Sequence, residues 1–227
     1  MPAKNAIKTY VENGFYHVYN RGVEKRLIYK DVQDYKVFLN YLKEYLSKPP
    51  ALSEIKKISF TLQGQTFKGV ERRAKNYFGK IELLSYCLMP NHFHLLVKQI
   101  SAVNLKEFMK SLTTKYSMYF NKKYKRNGSL FQGRYRGILI TDEPYLLHLS
   151  RYIHLNPAEF TKDLTSAYSS YADYLGLRHT PWIKPDVILE QFNNKVGIEF
   201  KKINNYKDFV EKYKQEDELV LSNLVID

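Results

Sequence analysis

Two histidines flank a single phenylalanine in the run His92-Phe93-His94-Leu95-Leu96-Val97. Successive side chains of a strand point to opposite faces, so both imidazoles emerge on one face. Phe93, Leu95 and Val97 then point the other way, into a core. Two imidazoles side by side, backed by packed apolar residues, can bind one divalent metal ion. The same pattern also serves as an ordinary pair of half-buried strand histidines.

A second group lies at His148, Tyr152 and Asn156, spaced four apart and therefore on one face of a helix. A phenol is a poor nucleophile at neutral pH because its pKa is about 10. A metal that polarises the phosphate under attack, or cations that favour phenolate, would make it useful. Asn156 supplies a neutral oxygen one turn beyond Tyr152. With the two histidines it would make three protein ligands and leave room for phosphate oxygens and water. Mixed nitrogen and oxygen ligation suits Mn²⁺, and Mg²⁺ less ideally. The plain alternatives are amphipathic packing for Tyr152, one of 20 tyrosines, and a helix C-terminal role for Asn156 before Pro157.

The elements that must position these groups are legible in outline. Residues 15–20 read as a first strand, and Asn20-Arg21-Gly22 ends it with a turn signal. Asp31 is placed to cap a helix that runs to about Leu46, with Tyr35, Phe38, Leu39 and Leu42 on one side, and Lys48-Pro49-Pro50 stops it. Residues 51–79 are polar, basic and glycine-containing, an insertion or a ragged hairpin. Lys80 to Met89 and His92 to Gln99 read as strands around a Pro90-Asn91 turn. Leu105 to about Lys123 is a helix with Leu105, Phe108, Met109, Leu112, Tyr116 and Tyr119 on its apolar side. Arg134 to Ile140 reads as a short strand. Thr141 is placed to cap a last helix with Pro144 in its first turn, closed by Asn156-Pro157.

That order predicts an α+β fold, a ferredoxin-like βαββαβ sandwich. One sheet face would be covered by helices and the other left for function. The helix carrying Tyr152 follows the last strand. The division expected is a main domain over 1–180 and a small helical C-terminal appendage over 181–227. Its helices are read at 187–192 and at Lys207 to Gln215.

Bulk properties narrow the partners. The chain has 227 residues and a net charge of +13. Nine Lys/Arg against one acid fall between residues 102 and 136, whereas the chain from Pro181 onward is slightly acidic. Such a field attracts polyanions, nucleic acid above all, and tyrosines interleaved with cations can stack the bases of single strands. No apolar run is long enough to span a bilayer, and residues 1–14 lack an apolar signal core. A lone cysteine, Cys87, allows no internal disulfide. A reducing cytoplasm is the compartment expected, with contact to the nucleoid through DNA.

Four segments together resemble the single-tyrosine HUH transposases, and within them the REP-associated tyrosine transposases. They are Tyr16-His17-Val18-Tyr19-Asn20-Arg21-Gly22, Met89-Pro90-Asn91-His92-Phe93-His94, Gly128-Ser129-Leu130-Phe131-Gln132-Gly133-Arg134-Tyr135 and Tyr152-Ile153-His154-Leu155-Asn156-Pro157. The resemblance covers roughly residues 14–178. It implies an HUH-type fold, with His92 and His94 as metal ligands, Tyr152 as nucleophile and Asn156 as third ligand where related transposases often carry Gln. It implies nicking and rejoining of single-stranded DNA through a 5′-phosphotyrosine link, recognition of DNA hairpins, and Mg²⁺ or Mn²⁺ as cofactor, in a monomer or a homodimer. Arg21, Lys122, Lys123, Lys125, Arg126, Arg134 and Arg136 are the expected phosphate contacts, and His17 an accessory near the site. His148, His154 and His179 are expected to be bystanders. Two other readings are a hairpin-binding protein without catalysis and a metal-dependent nuclease that uses water.

Overall fold

The computed structural model describes residues 9–51, 54, 57–70, 75–193 and 205–212. Asp31 caps the first helix by accepting from the Asp34 amide at 3.0 Å, so α1 runs Val32–Leu46 and buries Phe38, Leu42, Tyr45 and Leu46. Around it the strands β1 (Phe15–Arg21), β4 (Ile81–Met89), β5 (His92–Gln99) and β6 (Arg136–Ile140) form one sheet in the order β4-β5-β1-β6. Every neighbouring pair in it is antiparallel. Helix α2 spans Asn104–Lys123 and α3 Glu143–Leu155. This is the ferredoxin-like arrangement. A separate hairpin, β2 (Lys57–Leu62) and β3 (Gln65–Val70), occupies the polar stretch after α1.

One sheet face carries Tyr16, Val18, Phe93, Leu95 and Val97 and packs under α1 and α2 with Phe108, Leu112 and Tyr116. A bulge between Leu83 and Ser85 reverses the alternation along β4. Before it Ile81 and Leu83 face α1 and α2; after it Tyr86 and Leu88 do, and Cys87 and Met89 turn to the opposite side.

That opposite side is not left open, contrary to the expectation from the sequence. Leu84, Cys87, Met89, Leu96 and Ile140 make it apolar, and α3 covers it with Leu146, Leu147, Leu149 and Ile153. An uncovered sheet of this composition would be a large exposed apolar patch. The cap of α3 also differs: Asp142, not Thr141, accepts from the Tyr145 amide at 2.8 Å. Asn156 keeps helical angles, and the chain rolls into a 3-10 turn over Asn156–Glu159 rather than breaking at Pro157.

After a short helix α4 (Tyr171–Tyr174), Trp182 stacks on Tyr86, and α5 (Asp186–Asn193) and α6 (Tyr206–Glu211) pack on α3 through Ile188, Tyr206, Phe209 and Val210. The sequence-read extension of α6 from 213 to Gln215 lies outside the described residues. No helix among the described residues is long and apolar enough to cross a membrane.

Candidate active site

β5 presents His92 and His94 on the α3 side, as strand alternation requires. His94 sits opposite Tyr19 of β1 and Cys87 of β4, and His92 opposite Arg21 and Met89. The two rings lie edge to face with centroids 5.0 Å apart. α3 brings Tyr152 edge-on to His94 at 5.4 Å and to His17 at 6.3 Å. The Asn156 side chain shares the cleft with His92 and Tyr152, acts on the pKa of both, and donates from Nδ2 to the Tyr152 carbonyl at 2.8 Å. The pair from β5 and the pair from α3 are thus one group, though the segments are some sixty residues apart in sequence.

His17 belongs to the same group. Its ring stacks on His94 with centroids 5.0 Å apart, and its Nε2 lies 2.8 Å from His94 Nδ1. His92 is held through Nδ1 by the Asn91 side-chain oxygen at 2.6 Å. Two ring nitrogens, His94 Nε2 and His17 Nδ1, are buried with no hydrogen-bond partner. Orphaned buried polar atoms are rare and mark sites where something else completes the bonding.

Burial sets the charge state. It pushes the His17 pKa down to about 3. It pushes His92 down to about 4, against a hydrogen bond from Asn156 and with help from the Arg21 charge. His94 falls well below the usual range by burial, then by its two histidine neighbours. All three imidazoles are therefore neutral at pH 7, the form in which a histidine binds metal. Burial raises the Tyr152 phenol, partly offset by Asn156, so it is protonated before any cation arrives. Among the described residues no group of three or more His, Cys, Asp or Glu could hold a metal. The donors at hand are two imidazoles and an amide oxygen. The orphaned His94 Nε2 and the neutral rings are donors of the kind a divalent ion takes.

The site opens into a cleft of about 430 Å³ lined by Arg21, Lys25, Asn91, His92, Tyr152, Leu155, Asn156, Glu159 and Phe160. Two cations and one carboxylate on its walls suit an anionic substrate. Glu159 was findable by spacing, three residues beyond Asn156 along the turn. Lys25 carried no such signal: it enters through a turn in which Glu24 and Lys25 both adopt positive φ. Gly22 makes that turn possible, since a Cβ there would collide with the backbone oxygen of Arg26.

The expected phosphate contacts do not behave alike. Arg21 lines the cleft and donates from Nε to Gln132 at 2.6 Å. Lys122, Lys125, Arg134 and Arg136 are exposed. Arg126 donates to the Asn121 side chain at 3.2 Å and lies over the Phe120 ring. Lys123 has a structural role: its ammonium lies 2.7 Å from Asp31 and 2.7 Å from the fully buried Asp34. Burial alone would push Asp34 up, but hydrogen bonds from Lys123, the Lys30 amide, Tyr124 and Tyr119 hold it below the usual carboxylate range. His148 packs against Phe209, His154 bonds Tyr206 and Ser170 at 2.7 Å each, and His179 is exposed.

The sequence of residues 62–156 matches the family model of IS200-like transposases. Among solved structures, a REP-associated tyrosine transposase bound to a REP hairpin superposes with a TM-score of 0.51 at 10% identity, covering 80% of this chain and 97% of that one. At that identity the likeness speaks for the fold. A protein of Deinococcus radiodurans described as a transposase gives a TM-score of 0.36 at 15% identity, covering 67% and 95%. No curated protein matches the chain.

Proposed function

We infer that the chain nicks single-stranded DNA and transfers the cut strand, supported by the match of residues 62–156 to the IS200-like transposase family model and by a fold like that of a REP-associated tyrosine transposase. The carrying observation is Tyr152 held edge-on to His94, with Asn156 bonded to the Tyr152 carbonyl and lining one cleft with His92. His92, His94 and Asn156 would hold Mg²⁺ or Mn²⁺, which when bound would polarise the scissile phosphate and stabilise charge on its oxygens. With His17 Nε2 as the acceptor of the His94 Nδ1–H bond, His94 Nε2 would carry the lone pair that a metal needs. Arg21 and Lys25 face the incoming phosphate across the cleft. The Tyr152 oxygen loses its proton and attacks phosphorus. A phosphorus–tyrosine bond forms, the bond to the 3′ oxygen breaks, and that oxygen leaves as a 3′-hydroxyl after taking up a proton. The 5′-phosphotyrosine conserves the bond energy, so attack by another 3′-hydroxyl rejoins strands without ATP. DNA hairpins are the recognition element, in line with the REP hairpin bound by the structural neighbour.

The test is a gel assay with labelled single-stranded DNA carrying candidate hairpins and Mn²⁺ or Mg²⁺. A covalent protein–DNA band is expected from the wild type and none from Tyr152→Phe, with DNA binding unchanged. Cleavage without an adduct would make the chain a nuclease that uses water. Binding with neither cleavage nor adduct would make it a hairpin-binding protein without catalysis.

A further inference from the structure

A second cleft, of about 760 Å³, runs between α2 and the loop 128–135. Its volume lies within the range of built ligand sites. Lys106, Lys110, Thr114, Ser117 and Asn121 line it, spaced four, four, three and four apart. They form one stripe along α2, opposite the buried stripe of Phe108, Leu112 and Tyr116. From Lys106 to Asn121 the stripe is about 22 Å long. Arg134 faces it from the loop, and among the described residues no carboxylate lines the cleft. Met118, 68% exposed, sits among these polar groups.

The loop is tied to Arg21, which lines the active-site cleft. Gln132 accepts from Arg21 Nε on the active-site side, and its amide donates to the Arg21 carbonyl at 2.8 Å. Asn20 Nδ2 donates to the Gly133 carbonyl at 3.3 Å. The next residue, Arg134, already lines the second cleft, because Gly133 turns the chain at a φ of 78°. The loop thus links the two clefts: it bonds Arg21 of the first through Gln132 and supplies Arg134 to the second.

We propose that the α2 cleft binds the single-stranded DNA that flanks the cleavage point, continuing the strand held at Tyr152. This rests on the functional reading above and adds a second binding site to it. Cations at one-turn spacing match a phosphate backbone, and hydroxyl and amide groups can reach unpaired base edges. The exposed thioether offers an apolar surface for a base. A duplex has its bases paired inward and could use only the cations.

The test measures anisotropy of a labelled short oligo(dT) against salt, without metal. Lys106→Glu with Lys110→Glu is compared with Lys36→Glu with Lys43→Glu, exposed residues of α1 outside the cleft that change the net charge equally. The cleft pair is expected to weaken oligo(dT) binding several-fold more than the control. It should also flatten the log–log salt slope by about 1.4, from about 0.7 per lost contact on single strands. A duplex of equal length should respond alike to both pairs. Equal effects of the two pairs on oligo(dT), no binding of oligo(dT) by the wild type at low salt, or a change of oligomeric state in the cleft variant would overturn the proposal. Cleavage plays no part in the readout, so a failure of the Tyr152 chemistry would show only in the adduct assay.

Discussion

His94 shows how one residue's chemistry depends on its neighbour's proton. It is fully buried, and its two nitrogens have different fates: Nδ1 meets His17, and Nε2 meets nothing. His17 can therefore fix the tautomer that leaves Nε2 unprotonated. His17→Phe should lower Mn²⁺ affinity by about 10–100-fold, the usual effect of losing such an outer partner. His17→Gln, which keeps an acceptor, should recover part of it. Titration calorimetry with Mn²⁺ decides this, with hairpin binding as the control for folding. Equal affinity in His17→Phe and wild type would reduce His17 to packing. Phe93, between His92 and His94, is the opposite kind of residue. It is fully buried among Phe38 and Phe131, so Phe93→Ala should cost about 3–5 kcal/mol of stability by chemical denaturation.

Among the elements, α3 carries the most. It caps on Asp142, covers the second sheet face with Leu146, Leu147, Leu149 and Ile153, and delivers Tyr152 and Asn156 to β5. Its outer side is fixed by α6. Tyr206 Oη meets His154 Nδ1 at 2.7 Å and donates to Ser150 Oγ at 3.0 Å, and Arg151 Nε donates to the Phe209 carbonyl at 2.8 Å. Tyr206→Phe leaves His154 Nδ1 without a partner in a buried site and should cost about 1–3 kcal/mol. A denaturation midpoint equal to wild type would mean that α6 is held by apolar contact alone. The same geometry bears on the stretch after residue 180: Trp182, Ile183, Ile188 and Phe209 are buried in the same two cores as the sheet.

For the whole molecule, the buried neutral histidines set its response to acid. His17 and His154 are pushed down to about 3 and His92 to about 4, in each case first by burial. In the unfolded chain each takes up a proton as pH falls through about 6.5. The folded state does not, so the unfolded state binds more protons between those values and stability falls with pH. Above about 6.5 these groups have no effect. Below it each costs about 1.4 kcal/mol per pH unit. His154 is the cleanest probe because it lies outside the active-site cleft. His154→Gln should lower the pH dependence of the denaturation free energy between about pH 6 and about pH 5 by close to one proton. An unchanged slope would show that His154 does not remain neutral in the folded protein.

The sequence by itself determined the alternation that puts His92 and His94 on one face and the four-residue spacing of Tyr152 and Asn156. It determined α1 with its Asp31 cap, and the strand and helix order that defines the sandwich. These are local: periodicity and capping depend on neighbours within a turn or a strand pair. The family resemblance rested on four short motifs, and the match over residues 62–156 covers two of them in full and the last up to Asn156. What depended on distance along the chain was decided by the tertiary structure. The second sheet face is closed by α3 because its apolar side chains need cover, which alternation alone does not reveal. Lys123, read from the sequence as a phosphate contact, is paired with Asp31 and Asp34, which lie some ninety residues away and fold against it. His17, expected from the sequence as an accessory, meets the His94 ring because β1 pairs with β5 in a register that sets Tyr19 opposite His94. A strand register joins residues by hydrogen bonds between distant segments, and no spacing within either segment encodes it.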